Sequence, residues 1–247
     1  MFGIGGSHVL FDVMVHVGTL LAMCLVFRHD ISQVARAAVQ AVPGRATSNP
    51  VARSMIPAIV CGTIPTAIIG AGFSGFFRHL FGSMTAAGVG LLMTGVILMS
   101  TVWFKIGTYG RDVPAQRTIS IVHALIIGTA QGLALAPGIS RSGITIAAAL
   151  VLGIERELAV RFSFLLAIPT IIGALAFAMN DHVFGAEVAA HGMDVPVAAI
   201  GMIIAAGAGI CALKFLLHIV RRGRIFLFAY YCWIVGFITV SIGILRG

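Results

Sequence analysis

Six long apolar runs organise the chain, at residues 9–27, 55–73, 84–104, 162–179, 195–215 and 225–245. Each holds about 20 residues, enough for an α-helix rising about 1.5 Å per residue to cross a hydrocarbon core about 30 Å thick. A seventh apolar region, residues 119–153, behaves differently: Pro137-Gly138 divides it into an arm of about 17 residues and one of about ten. The second arm is too short to cross. The pattern predicts an all-α polytopic membrane protein with six transmembrane helices and one broken, hairpin-like element.

The charges between the runs set the orientation. Arg28, Arg36, Arg45 and Arg53 fill the first connection, Lys105, Arg111 and Arg117 the one after the third run, and Lys214, Arg221, Arg222 and Arg224 the one before the last. The connection at 180–194 carries Asp181, Glu187 and Asp194 and no Lys or Arg. Basic connections stay cytoplasmic, so the acidic one lies outside. For the run at 162–179 to start inside, residues 119–153 must enter the bilayer and return to the same face. Parity therefore predicts a re-entrant hairpin, whose broken tip survives only where protein or water surrounds it.

A re-entrant hairpin followed by three spans, preceded by three spans of opposite orientation, is the arrangement of an inverted repeat. On this reading residues 1–247 form one integral membrane domain, with a first repeat at 1–104, a linker at 105–118 and a second repeat at 119–247. The matching spacing of Phe11 to Thr19 and Phe162 to Thr170 supports it faintly. A complete first repeat would open with its own re-entrant hairpin, so roughly 30–40 residues are expected to be missing before the first span.

Composition agrees: 59% of the 247 residues are hydrophobic and 10% charged, against about 25% charged in an average soluble domain. The net charge of +8 comes from a shortage of acids and resides in the connections, which fits bilayer orientation and not nucleic-acid binding. Cys24, Cys61, Cys211 and Cys232 stand singly in apolar runs and read as packing residues rather than metal or disulfide partners. Gly201, Ala205 and Gly209, and also Gly88, Gly90 and Gly95, offer small surfaces for close helix contact. Trp103, Tyr230, Tyr231 and Trp233 lie near span ends and fit an interfacial belt.

The chemistry concentrates at the break. In Ala136-Pro137-Gly138-Ile139-Ser140-Arg141-Ser142-Gly143-Ile144-Thr145 one arginine stands between two glycines and three hydroxyls, with uncharged flanks on both sides. An arginine at membrane depth costs about 2.5–3.5 kcal/mol or more, so it persists where a partner or a wet cavity receives it. The run after it reads as a new helix whose first N–H groups and positive dipole end face the break. Arg141, Ser140, Ser142 and Thr145, with Gly138 and Gly143 allowing close backbone approach, are therefore candidates to bind a phosphate group. Gln131 could aim its amide at the tip or bond a neighbouring helix, and His123 invites the second of these. Asp12 and His16, at i and i+4, form either a functional intramembrane pair or a structural one near the interface.

The run from Gly128 to Gly143, G-T-A-Q-G-L-A-L-A-P-G-I-S-R-S-G, resembles a signature of the undecaprenyl-diphosphate phosphatase (bacitracin-resistance) family. Phe11 to Ala22 and Phe162 to Pro169 are similar to the family's first-span and post-hairpin patterns, so the resemblance covers nearly the whole chain. It implies dephosphorylation of the C55 lipid carrier diphosphate to the monophosphate, at a site facing outward from the bacterial cytoplasmic (inner) membrane. It further implies that Arg141, with Ser140, Ser142 and Thr145, binds the diphosphate, with Mg²⁺ or another divalent cation as cofactor. The partners are then the membrane and a polyprenyl diphosphate lipid, with homo-oligomers left open. The family's N-terminal E-x-x-x-E pair and S-S-x-G-H motif have no counterpart here; Ser7-His8 lies too close to Phe11 to stand in. Cys232 replaces an arginine common in the family. For activating water the chain offers Asp12, or Glu155 and Glu157 at the far end of the hairpin; either the true start lies upstream of Met1, or the chain as it stands is expected to bind poorly and turn over little. A lipid-carrier transporter or flippase on the same scaffold is the alternative; a histidine-nucleophile phosphatase is disfavoured, since no His follows Ser140-Arg141 closely.

Overall fold

The computed structural model describes residues 6–40, 50–103, 116–180 and 195–246. It is all-helical: α1 (Gly6–Val26), α2 (Arg28–Gln40), α3 (Pro50–Gly72), α4 (Ser74–Phe81), α5 (Met84–Trp103), α6 (Ile121–Leu133), α7 (Arg141–Val151), α8 (Arg156–Asn180), α9 (Val195–Arg221) and α10 (Leu227–Arg246). Five helices are long and apolar enough to cross a membrane, α3, α5, α8, α9 and α10. Met14–Val26 with Arg28–Val39 makes a sixth if the bent pair is one span. The acidic connection at 181–194 and most of the basic connection at 105–117 fall outside the described residues.

Two short helices depart from the expectation of plain connections. The chain turns by 77° after Val26 and continues as α2, because Phe27, Ile31, Val34 and Ala37 recur at helical spacing and give it one apolar face. Asp30 in its first turn suits the positive end of the helix dipole. The connection after α3 winds into α4, which exposes Phe76 and Phe81 as interfacial aromatics do.

The helices cluster into two compact units. In one, residues 1–32 and 167–216, small residues let α1 and α9 meet: a Cβ on Gly18 would strike the Met202 carbonyl, and one on Gly201 the Phe11 ring. The other, residues 33–166 and 217–247, holds the broken element and a core of fully buried side chains that includes Ile127, Ile146, Val160, Phe162 and Leu166.

In this second unit α6 and α7 pack on one another and are flanked by α3 and α5, and α5 in turn packs along α10. At 13 and 11 residues, α6 and α7 reach about 20 and 16 Å, short of a bilayer core. Their lengths fit the two arms expected of a re-entrant hairpin. Glycines set the spacing of the surrounding helices: Gly88 and Gly95 of α5 face Val240 and the Trp233 indole of α10, while Gly128 of α6 lies against the backbone of Gly62 in α3. Trp233, expected in an interfacial belt, is thus a packing residue along α5.

Candidate functional site

The tip of the hairpin is a run of short turns. α6 ends at Leu133, and Ala134, Leu135, Ala136 and Ile139 each return an N–H to a carbonyl three or four residues back. Gly138 then takes a φ of +79°, in the left-handed region that glycine enters without strain. Ser140 caps α7: its Oγ accepts from the Gly143 N–H at 3.1 Å and its carbonyl from the Ile144 N–H at 2.9 Å.

α5 holds this tip. A Cβ on Gly90 would strike the Pro137 carbonyl, and one on Gly138 would strike the carbonyl of Ala87. Thr94, 1% exposed, completes the attachment. Its hydroxyl oxygen accepts the Ser140 N–H at 3.0 Å, and as a donor the same Oγ1 lies 2.9 Å from the Gly90 carbonyl oxygen and 3.3 Å from that of Gly138. One hydroxyl thereby pins both sides of the turn to a membrane-spanning helix. Sequence reasoning assigned Thr94 no role and Gly90 only helix packing; the signal was their spacing of four on one face of α5.

The seated tip leaves a set of donors at the start of α7. The half-buried Arg141 guanidinium has no hydrogen bond or ion pair among the described residues. Nor do the Arg141 and Ser142 N–H groups, which open the helix, or the Ser142 hydroxyl. A planar fork carrying a full charge, two amides at the positive end of a helix dipole and a hydroxyl together suit a tetrahedral oxyanion.

The other predicted site residues have different duties. Gly143 is buried with its N–H on Ser140 Oγ, and a Cβ there would lie 2.9 Å from that oxygen, so the glycine serves the cap. Gly138 likewise serves the close approach to α5. Thr145, 1% exposed, directs its hydroxyl to the Arg141 carbonyl at 2.9 Å and donates within its own helix. Gln131, fully buried, gives its amide to Thr66 Oγ1 of α3 at 3.3 Å and the Leu166 carbonyl of α8 at 3.5 Å. Its amide nitrogen thus makes the helix-to-helix bond. His16 lies exposed on α1, in the other unit, and the Asp12 side chain is outside the described residues.

Glu157 meets Arg161 and, at 2.9 Å, Arg221, and Glu155 lies 3.7 Å from Arg117. Both acids belong to the foot of the hairpin and are matched there by arginines. Among the described residues no three His, Cys, Asp or Glu side chains converge. The tip presents donors, whereas a divalent cation needs oxygen acceptors, so these residues do not form its cage. A groove of about 560 Å³ between α5 and α10, lined by Val89, Met93, Trp233, Phe237 and other apolar side chains, has no part in this polar chemistry.

A family model described as bacitracin resistance protein BacA matches residues 1–238. An undecaprenyl-diphosphatase of Desulfatibacillum aliphaticivorans is 43% identical over 246 residues, covering 96% of this chain and 85% of that one. Those of Korarchaeum cryptofilum (39% over 240 residues, 96% and 86%) and Carboxydothermus hydrogenoformans (38% over 237 residues, 96% and 83%) are similar over the same extent.

Proposed function

The chain belongs to the bacitracin resistance protein BacA family, and from that membership we propose that it removes the terminal phosphate of undecaprenyl diphosphate, leaving the monophosphate. It is a multi-pass membrane hydrolase acting on a polyprenyl lipid. The observation that carries the site assignment is the half-buried Arg141 guanidinium, without a protein anion among the described residues, borne by the same first turn of α7 as two unused amides.

Hydrolysis of the anhydride joins water to the terminal phosphorus and breaks its bond to the bridging oxygen, which leaves on the lipid monophosphate. Negative charge spreads over the phosphoryl and bridging oxygens as that bond breaks. Arg141 can hold two of those oxygens in one fork, and the Arg141 and Ser142 amides can receive a third. Ser140 positions this set by capping α7, and Thr94 and Gly90 position Ser140. The lipid monophosphate serves recycling of the cell-envelope carrier, with the tip facing outward from the cytoplasmic membrane, a reading supported by the acidic connection at 180–194.

The test is release of inorganic phosphate from a polyprenyl diphosphate by the purified chain in detergent. Stoichiometric release of phosphate and lipid monophosphate supports the reading. Movement of the carrier across liposomes without phosphate release would replace it with a transporter.

A further inference from the structure

At the foot of the hairpin, away from its tip, three separate stretches of chain are tied together. Gln116 bonds to the turn after α7 through its N–H to the Gly153 carbonyl and its carbonyl to the Glu155 N–H, both at 3.1 Å. Glu157 at the start of α8 joins Arg161 to Arg221 at the end of α9. The turn after Arg221 passes Gly223 at a φ of +69°, and a Cβ there would lie 2.8 Å from the Arg156 guanidinium. Glycine admits that guanidinium against the backbone.

Arg117, Arg161 and Arg221 thus surround Glu155 and Glu157, Arg156 lies against Gly223, and Arg222 and Arg224 flank that glycine in the chain. Both acids are already matched to arginines. Arg222 and Arg224 are exposed, flank Gly223, and form no ion pair among the described residues. Six arginines against two acids leave a net positive patch, which attracts an anion. The cluster lies where the spans Arg156–Leu175 and Pro196–Arg221 begin and end, which is the depth of lipid phosphates.

We propose that this foot is a binding site for an anionic glycerophospholipid of the leaflet it faces, its phosphate held by Arg222 and Arg224 over the Gly223 turn. The site is separate from the hairpin tip and does not depend on the reaction assigned there. Because the cluster joins the ends of α7, α8 and α9, a bound lipid would hold together the frame from which the hairpin rises.

The purified chain in detergent is titrated with phosphatidylglycerol or phosphatidylcholine of identical acyl chains, with bound lipid read by native mass spectrometry and stability by thermal unfolding. Headgroup-only glycerophosphoglycerol and inorganic phosphate are run alongside. Phosphatidylglycerol is expected to be retained and to raise the melting temperature, and neither phosphatidylcholine nor the soluble anions to do so. The double variant Arg222→Gln/Arg224→Gln should lose about ten- to thirtyfold in phosphatidylglycerol affinity, at the strength usual for two basic residues near a lipid surface. Arg222→Lys/Arg224→Lys should stay within about threefold of the parent, since lysine keeps the charge. Equal retention of the two lipids, unchanged affinity in the Gln variant, or equal stabilisation by phosphate alone would overturn the proposal.

Discussion

Replacing Thr94 by valine keeps the shape of a buried side chain and removes one oxygen. Ser140 then loses the acceptor of its N–H, 3.0 Å away, and Gly138 its weaker contact at 3.3 Å, while the Gly90 carbonyl keeps its place in the α5 ladder. An unpartnered N–H costs about 1–3 kcal/mol when buried; the Ser140 N–H is part-buried, so the attachment of the tip should weaken by about 1.5–2 kcal/mol. That is a shift of about ten- to thirtyfold between seated and unseated tip. Phosphate release from a polyprenyl diphosphate should accordingly fall about ten- to thirtyfold in kcat/KM, with much less change in the melting of the remaining helices. Thr94→Ser, which keeps the oxygen and loses a methyl, should stay within about threefold of the parent. If Thr94 merely filled space the order would reverse, with valine neutral and serine harmful, and that reversal would refute the clamp.

Three further outcomes follow from the same geometry. Gly138→Ala meets both a φ of +79° and the Ala87 carbonyl, whereas Gly153→Ala meets a φ of +78° with nothing within 4 Å; thermal unfolding should show a loss of about 1 kcal/mol at Gly153 and several times that at Gly138. Ser140→Ala removes the cap of α7 and should cost about 0.5–2 kcal/mol together with a drop in phosphate release that Ser140→Thr partly restores. Thr145→Val removes a hydroxyl that donates within its own helix, so kcat/KM should remain within about threefold of the parent, and a larger fall would place Thr145 on the substrate after all.

Features that depend on continuous stretches were legible in the sequence. Uncharged runs of bilayer length gave the spans, and Pro137-Gly138 within one of them marked where the helix breaks, because proline and a positive-φ glycine act locally. Arg141 was legible because charge in an apolar stretch demands a partner. The clamp was not: Thr94 sits 44 and 46 residues upstream of Gly138 and Ser140, and a small residue or a hydroxyl does not say which neighbour it meets. Gly143 and Thr145, small or polar beside the arginine, fit a ligand-facing role from the sequence, whereas Gln131 fits either the tip or a neighbouring helix. Buried polar groups, however, are most often satisfied by the protein itself: the Gln131 amide nitrogen bonds to α3 and α8, the Gly143 N–H to the cap, and the Thr145 hydroxyl within α7. α2 is masked in the sequence by its charges, which interrupt the apolar run that carries Phe27, Ile31 and Val34 at helical spacing.

The most direct measurement compares phosphate release by the parent with that by Arg141→Gln and Arg141→Lys in the same detergent, with folding checked by circular dichroism. If the guanidinium seats the diphosphate, glutamine should lower kcat/KM about 100-fold or more, and lysine, which keeps the charge and loses the fork, should fall in between. A glutamine variant that releases phosphate within about threefold of the parent would contradict the account.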